Sequence, residues 1–109
     1  MKPAERLNYV KQRKTEIEDE DTSLEIQIND LQTLIKGATN DSTDVPKWQE
    51  QAERLKRRRF DGLREEREQL CMFIKGETGF QGDILTLYTE AERQNLKGEA
   101  WARFMLGMC

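Results

Sequence analysis

The side chains that most often carry out catalysis are scarce in this sequence. The chain has 109 residues and no histidine, which excludes Ser–His and Cys–His nucleophiles and histidine metal sites. Its two cysteines, Cys71 and Cys109, are too few for a four-cysteine zinc site. We therefore predict that the protein is not an enzyme and that it uses neither a metal ion nor another cofactor.

Carboxylates are abundant, but they are arranged as on solvated helix surfaces. The sequence contains 21 acidic and 18 basic residues, and residues 16–21 form an acidic run with basic neighbours. Helix faces have this appearance far more often than paired acid–base catalysts do. Helical carboxylate metal sites usually include Glu-x-x-His motifs, which this chain cannot contain. A carboxylate-only metal site is therefore the one enzymatic alternative.

Two further segments, residues 70–74 and 76–82, could be read as a reactive thiol and a phosphate loop. Core packing and a connecting loop fit them better. Cys71 lies in the apolar run 70–74, where a buried thiol packs as a small hydrophobic side chain. Three glycines are evenly spaced in residues 76–82, but this segment lacks the Gly-Lys-Ser/Thr ending of a phosphate loop. It also leads to Asp83, whose charge repels phosphate, so we expect a connecting loop.

A basic cluster is the sharpest charged feature of the sequence. Its members are Arg54, Lys56, Arg57, Arg58 and Arg59. Such a cluster can contact phosphates, so nucleic-acid binding is the alternative function that we consider. Against it, four consecutive cations of a helix point in all directions, and the net charge of −3 is unlike that of a basic nucleic-acid-binding domain. The other interpretation is a solvated helix face that pairs with nearby acids.

Helix start and stop signals show which elements must position these groups. Gly37 and Gly76 each follow a lysine, as is typical of helix ends. Pro46 suits the first turn of a helix, and Asp83 suits an N-cap. The short connection after Gly37 favours antiparallel packing of the helices on either side.

The predicted fold is all-α, a long helical hairpin or coiled coil with a shorter C-terminal helical segment. We expect one helical domain over residues 1–109. The last helix should be interrupted near Gly98, because glycine weakens a helix interior. The predicted helices span 4–36, 46–75 and 84–106.

The first helix carries a heptad pattern that is typical of a coiled coil. Apolar residues occupy the a and d positions over almost five repeats. This heptad seam, which we expect to form the oligomer interface, consists of Leu7, Val10, Ile17, Leu24, Ile28, Leu31 and Ile35. Lys14 and Asp21 interrupt the d positions. A polar seam residue can fix register or partner number at a cost in stability; a loose, solvated seam is the alternative.

The second helix combines two heptad frames, which meet near residues 56–59. Trp48, Ala52 and Leu55 follow one frame, whereas Phe60 and Leu63 begin the other. Such a break predicts a change of packing along the helix.

An antiparallel hairpin also predicts specific charge pairs along its length. It brings Arg58 and Arg59 close to Leu24 of the first helix. Both arginines then lie within reach of Asp21 and Glu25.

The C-terminal helix has an aromatic and methionine face. Trp101, Phe104, Met105 and Met108 follow an i, i+3, i+4, i+7 spacing. This spacing suits docking into the groove of a partner protein. It equally suits the cap of a small core.

We therefore predict a non-enzymatic protein–protein interaction module, a small oligomeric coiled-coil adaptor, regulator or assembly factor. A homodimer is expected because two-fold assemblies are the commonest. The C-terminal face would bind the other subunit or another protein. The sequence shows neither a membrane-spanning apolar stretch nor a secretory signal nor a cysteine framework. We therefore expect no membrane partner and an intracellular, cytoplasmic location, with the nucleus as the alternative in a eukaryote.

Overall fold

The computed structural model describes residues 2–39 and 43–107 of the chain. In these two ranges the ordered elements are helices and no strand occurs, so the predicted all-α fold class is confirmed. The helices are α1 (Pro3–Gly37), α2 (Val45–Arg57), α3 (Leu63–Thr78), α4 (Ile84–Arg93) and α5 (Gly98–Met105).

A π turn over Arg58–Gly62 joins α2 directly to α3. A π turn closes i→i+5 hydrogen bonds and so holds one residue more than an α turn. It lies where the two heptad frames meet, and the extra residue is the physical reason for the change of frame. Phe60, which begins the second heptad frame, does not pack as a seam residue, since it is 64% exposed. Arg59 pairs with α1 instead, through Asp21.

The third predicted helix is divided into α4 and α5. Asp83 caps α4 as expected, and its side chain accepts a hydrogen bond of 3.0 Å from the backbone N–H of Leu85. Asn95 lies between α4 and α5 and has a positive φ of 59°. Gly98 is the first residue of α5 and has a positive φ of 57°. These left-handed conformations stop α4 and start α5 in a new direction.

The chain divides into two compact units. The first consists of Met1–Ile17 and Glu66–Cys109, and the second of Glu18–Glu65. The single domain that the sequence predicts stays a prediction.

In the first unit, the start of α1 runs antiparallel to α3. Three contacts show this direction. Arg6 donates a hydrogen bond of 3.3 Å to the backbone oxygen of Glu77, the rings of Tyr9 and Phe73 lie 4.6 Å apart, and Arg13 lies 3.9 Å from Glu66. The helices α4 and α5 complete the core of this unit. Its fully buried members include Val10, Ile17, Ile74, Ala91 and Trp101.

In the second unit, α1 continues beside α2 and the π turn. Leu24, Ile28 and Leu31 of α1 are buried there, as are Ala52 and Leu63. Two charge pairs of this unit, Arg58 with Glu20 and Arg59 with Asp21, connect α1 to the π turn.

Candidate functional site

Six of the seven residues of the heptad seam are buried within the single chain. Their exposed fractions range from 0% for Val10 to 8% for Leu7 and Leu31, whereas Ile35 is half-buried. In the first unit, Leu7, Val10 and Ile17 belong to the core that α3, α4 and α5 complete. The seam is therefore covered by the chain's own helices and is not an open surface for a second copy. The homodimer itself stays a prediction.

Lys14, the first polar interruption of the seam, is a buried cation with specific partners. Its side chain is 3% exposed. The Nζ atom donates one hydrogen bond of 2.8 Å to the Tyr88 hydroxyl and another to Glu92 Oε1. A buried charge requires such pairing, because an isolated one is expensive to remove from water. Both partners belong to α4, so Lys14 specifies where α4 docks on α1, and the solvated-seam alternative is wrong at this position.

Asp21, the second polar interruption, pairs with the π turn. Arg59 donates to Asp21 at 2.9 Å through Nε, and its Nη2 atom lies 3.5 Å from Glu25. The hydrogen bond to Asp21 raises the pKa of Arg59. The predicted partners of Arg59 are confirmed. Arg58 differs, because it donates to Glu20 at 2.8–3.2 Å.

The basic cluster is largely neutralised by carboxylates. Besides Arg58 and Arg59, Arg54 pairs with Glu50 at 3.1 Å and Lys56 with Glu53 at 3.7 Å. Within the described residues, Arg57 is the one member of the cluster without a carboxylate partner. This arrangement fits the paired helix face better than a continuous phosphate-contacting stripe.

Cys71 is buried in the core of the first unit, with 2% of its surface exposed. Burial raises the pKa of the Cys71 thiol, and the nearby ammonium of Lys14 opposes this effect only in part. The reactive form of a thiol is the thiolate. The environment therefore favours the protonated thiol. This form suits a core side chain and not a nucleophile.

The C-terminal face divides between the core and the surface. Trp101 is fully buried and packs edge-on against Tyr88, with ring centroids 5.6 Å apart. Met105 is 2% exposed, and Phe104 is half-buried. Met108 lies outside the described residues. Trp101 is thus a core residue, whereas Phe104 and Met105 reach a groove.

This C-terminal groove has a volume of about 400 Å³ and lies in the first unit. No charged side chain belongs to its described lining, which consists of Thr78, Phe80, Leu87, Phe104, Met105, Leu106 and Gly107. Sequence periodicity identified Phe104 and Met105, but it missed Phe80, which belongs to a loop rather than to a helix face. The sequence signal that could have identified Phe80 is that it is a single aromatic residue within a glycine-rich connection.

Gly82 permits the position of Phe80 in the wall of the groove. A Cβ atom on Gly82 would lie 2.8 Å from Cζ of the Phe80 ring. Any other residue at this position would therefore displace the ring or the loop. Among the three evenly spaced glycines, Gly82 is therefore the one that this groove wall requires.

No protein-family model matches this chain, and comparisons with curated proteins and with solved structures gave no match either. Among the helices in the described ranges, none is long and apolar enough to cross a membrane. The same residues contain no group of three or more cysteine or carboxylate side chains that could hold a metal ion.

Proposed function

We propose that this protein is a non-enzymatic interaction module, an adaptor or assembly factor that binds another protein through the C-terminal groove. The observation that carries the proposal is the uncharged lining of this groove, which includes both Phe104 and Met105. Aromatic and methionine side chains adapt well to apolar side chains of a partner helix. The intracellular location expected from the sequence is part of the proposal.

The groove suits a partner that inserts one or two apolar anchors. Phe104 is half-buried and Phe80 is 36% exposed, so both rings retain surface that a partner can cover. Burial of one large apolar side chain contributes about 1.5–3 kcal/mol. A site of this size therefore supports the weak, reversible binding that is typical of adaptors and regulators.

Self-association is the second part of the proposal, and it does not use the heptad seam. A homodimer would have to form through surfaces that the single chain leaves exposed. Light scattering on the unmodified chain tests this part directly, since a monomer at all concentrations contradicts it. Nucleic-acid binding is not carried into the proposal, because carboxylates already pair with four of the five cations of the basic cluster.

The test of the groove compares two apolar-to-acidic substitutions on the first unit. Phe104→Glu places a charge in the groove, whereas Leu85→Glu changes a side chain that is 56% exposed and outside its lining. Proteins captured from the native cell extract by the unmodified chain should be retained by Leu85→Glu and lost by Phe104→Glu. Titration of the captured partner against each variant then gives the affinities.

Circular dichroism on both variants is the control for folding, and the comparison is made between variants that keep the helical signal of the unmodified chain. A partner that binds Phe104→Glu and the unmodified chain with equal affinity would overturn the groove as the binding site. A partner lost equally by both variants would have the same consequence, because the effect would then not depend on the groove.

A further inference from the structure

The first unit contains an aromatic cage that is occupied by a side chain of the same protein. Tyr88 and Trp101 form two of its walls, with an angle of 76° between the ring planes. The Nζ atom of Lys14 lies 4.6 Å from the centroid of the Tyr88 ring and 4.9 Å from that of Trp101. Glu92 contacts the same nitrogen. Two rings and a carboxylate thus surround one ammonium group.

Each wall contributes an interaction that favours a cation with N–H donors. The ring faces attract positive charge through their quadrupoles. The Tyr88 hydroxyl and the Glu92 carboxylate each accept a hydrogen bond from Nζ, and bonds between charged groups are the stronger kind. The Nε1 atom of Trp101 is buried and has no hydrogen-bond partner among the described residues, so the indole offers its apolar surface and its ring.

We infer that Tyr88, Glu92 and Trp101 form a binding site for a primary alkylammonium ion, which the native chain fills with Lys14. The Glu92 carboxylate discriminates against neutral ligands of the same shape, because Glu92 would have no counter-ion in the site when a neutral ligand is bound. The two hydrogen bonds discriminate against quaternary ammonium ions, which have no N–H to donate. This inference is independent of the C-terminal groove and of the proposed function.

The side chain of lysine defines the free ligand that fits. Replacing Lys14 with alanine removes Cγ, Cδ, Cε and Nζ but keeps Cβ. The missing group corresponds to n-propylammonium. Because Lys14 is 2% exposed, the space left by the substitution is enclosed by protein, and a ligand in it would be held by the same rings and carboxylate.

The experiment is chemical rescue of the Lys14→Ala variant, followed by thermal unfolding. n-Propylammonium chloride should raise the Tm of this variant with a saturable concentration dependence, because a ligand that binds only the folded state stabilises it. 1-Propanol, tetramethylammonium chloride and sodium chloride at matched concentrations should not. The unmodified protein and Lys14→Met, whose cages are filled, should show no saturable response.

Two results would overturn the inference. Equal stabilisation by 1-propanol would show that the space is merely apolar, and the absence of a saturable response to n-propylammonium would show that no site exists. If Lys14→Ala is unfolded alone, the same titration is followed by recovery of the helical circular dichroism signal. Recovery with n-propylammonium but not with 1-propanol supports the site, and failure to recover contradicts it.

Discussion

Lys14 of α1 and Glu92 of α4 form an ion pair across 78 positions of the sequence. The two side chains lie in very different surroundings, since that of Lys14 is 3% exposed and that of Glu92 is 49% exposed. The lysine charge is therefore buried, and its counter-ion reaches solvent. Lys14, a polar residue that interrupts the apolar heptad seam, thus helps to attach the C-terminal helices of the first unit to α1.

Removing the carboxylate should cost more stability than removing the whole pair. Glu92→Gln removes the carboxylate that accepts a hydrogen bond from the buried Lys14 ammonium, and we expect a loss of about 1–3 kcal/mol in the free energy of unfolding, reduced from the fully buried case by the exposure of Glu92. Lys14→Met should have a smaller effect, because it replaces the charge with an apolar side chain of similar length. Urea unfolding measures both values.

The double variant Lys14→Met with Glu92→Gln provides the control for this prediction. It should be more stable than Glu92→Gln alone, since the buried ammonium that Glu92 neutralises is then absent as well. Purely additive losses would mean that the ion pair does not govern the attachment of α4.

Exchange of charges between α1 and the π turn should be tolerated at one pair in particular. Asp21→Arg and Arg59→Asp should each destabilise the chain, and the two together should be more stable than their sum predicts, because the hydrogen-bonded pair is re-formed with opposite polarity. The comparison is the Glu20 and Arg58 pair, whose side chains are more exposed at 39% and 43%. Its coupling should be smaller. Additivity at Asp21 and Arg59 in thermal unfolding would contradict the observed pairing.

Two glycine-to-alanine substitutions should have opposite effects. Gly82→Ala should displace the Phe80 ring, because the new Cβ would lie 2.8 Å from it, and NMR shifts of Leu87 and Met105 in the groove should change. Gly76→Ala meets no atom within 4 Å and lies in α3, so it should stabilise the chain by about 0.5–1 kcal/mol and leave the groove unchanged. Unchanged groove signals in Gly82→Ala would exclude this role for Gly82.

Cys71 should react slowly with thiol reagents in the folded chain. In a Cys109→Ser background, the rate should stay low at pH values where an exposed thiol, with a pKa of about 8.5, already reacts, because burial raises the pKa of Cys71. Lys14→Met should slow the reaction further, since it removes the ammonium that lowers this pKa. Stopped-flow labelling measures both rates, and rapid reaction near neutral pH would contradict the buried environment.

The same pKa shift has a consequence for stability, with a definite sign. The folded chain holds the Cys71 proton more tightly than the unfolded chain does. Its contribution to stability is therefore fully present below the ordinary pKa of the thiol and is lost as the pH rises above it. A Cys71→Ala variant should lose this part of the pH dependence, which begins near the ordinary pKa of a thiol, about 8.5, and continues at higher pH.

Much of the fold could be predicted because its signals are local. Asp83 caps α4 through the backbone N–H of Leu85, only two residues away. The change of heptad frame near residues 56–59 predicted a change of packing there, but not the π turn over Arg58–Gly62. The candidate site was predicted less completely. Phe104 and Met105 were identified by their spacing, whereas Phe80 reaches the groove through a loop, and loops have no periodicity from which to predict a face.

The amino-acid pattern was enough to predict that the chain is helical, where α1 begins and ends, where α2 and α4 begin, and which apolar positions of α1 are buried. These properties follow from capping, glycine placement and hydrophobic period, which act within a few residues. What covers the heptad seam was not predictable in this way; in the first unit the tertiary fold packs α3, α4 and α5 of the same chain against it. A prediction that a residue is buried does not show which helix covers it. That depends on contacts between distant residues, and the pairing of Lys14 with Glu92 is one of them.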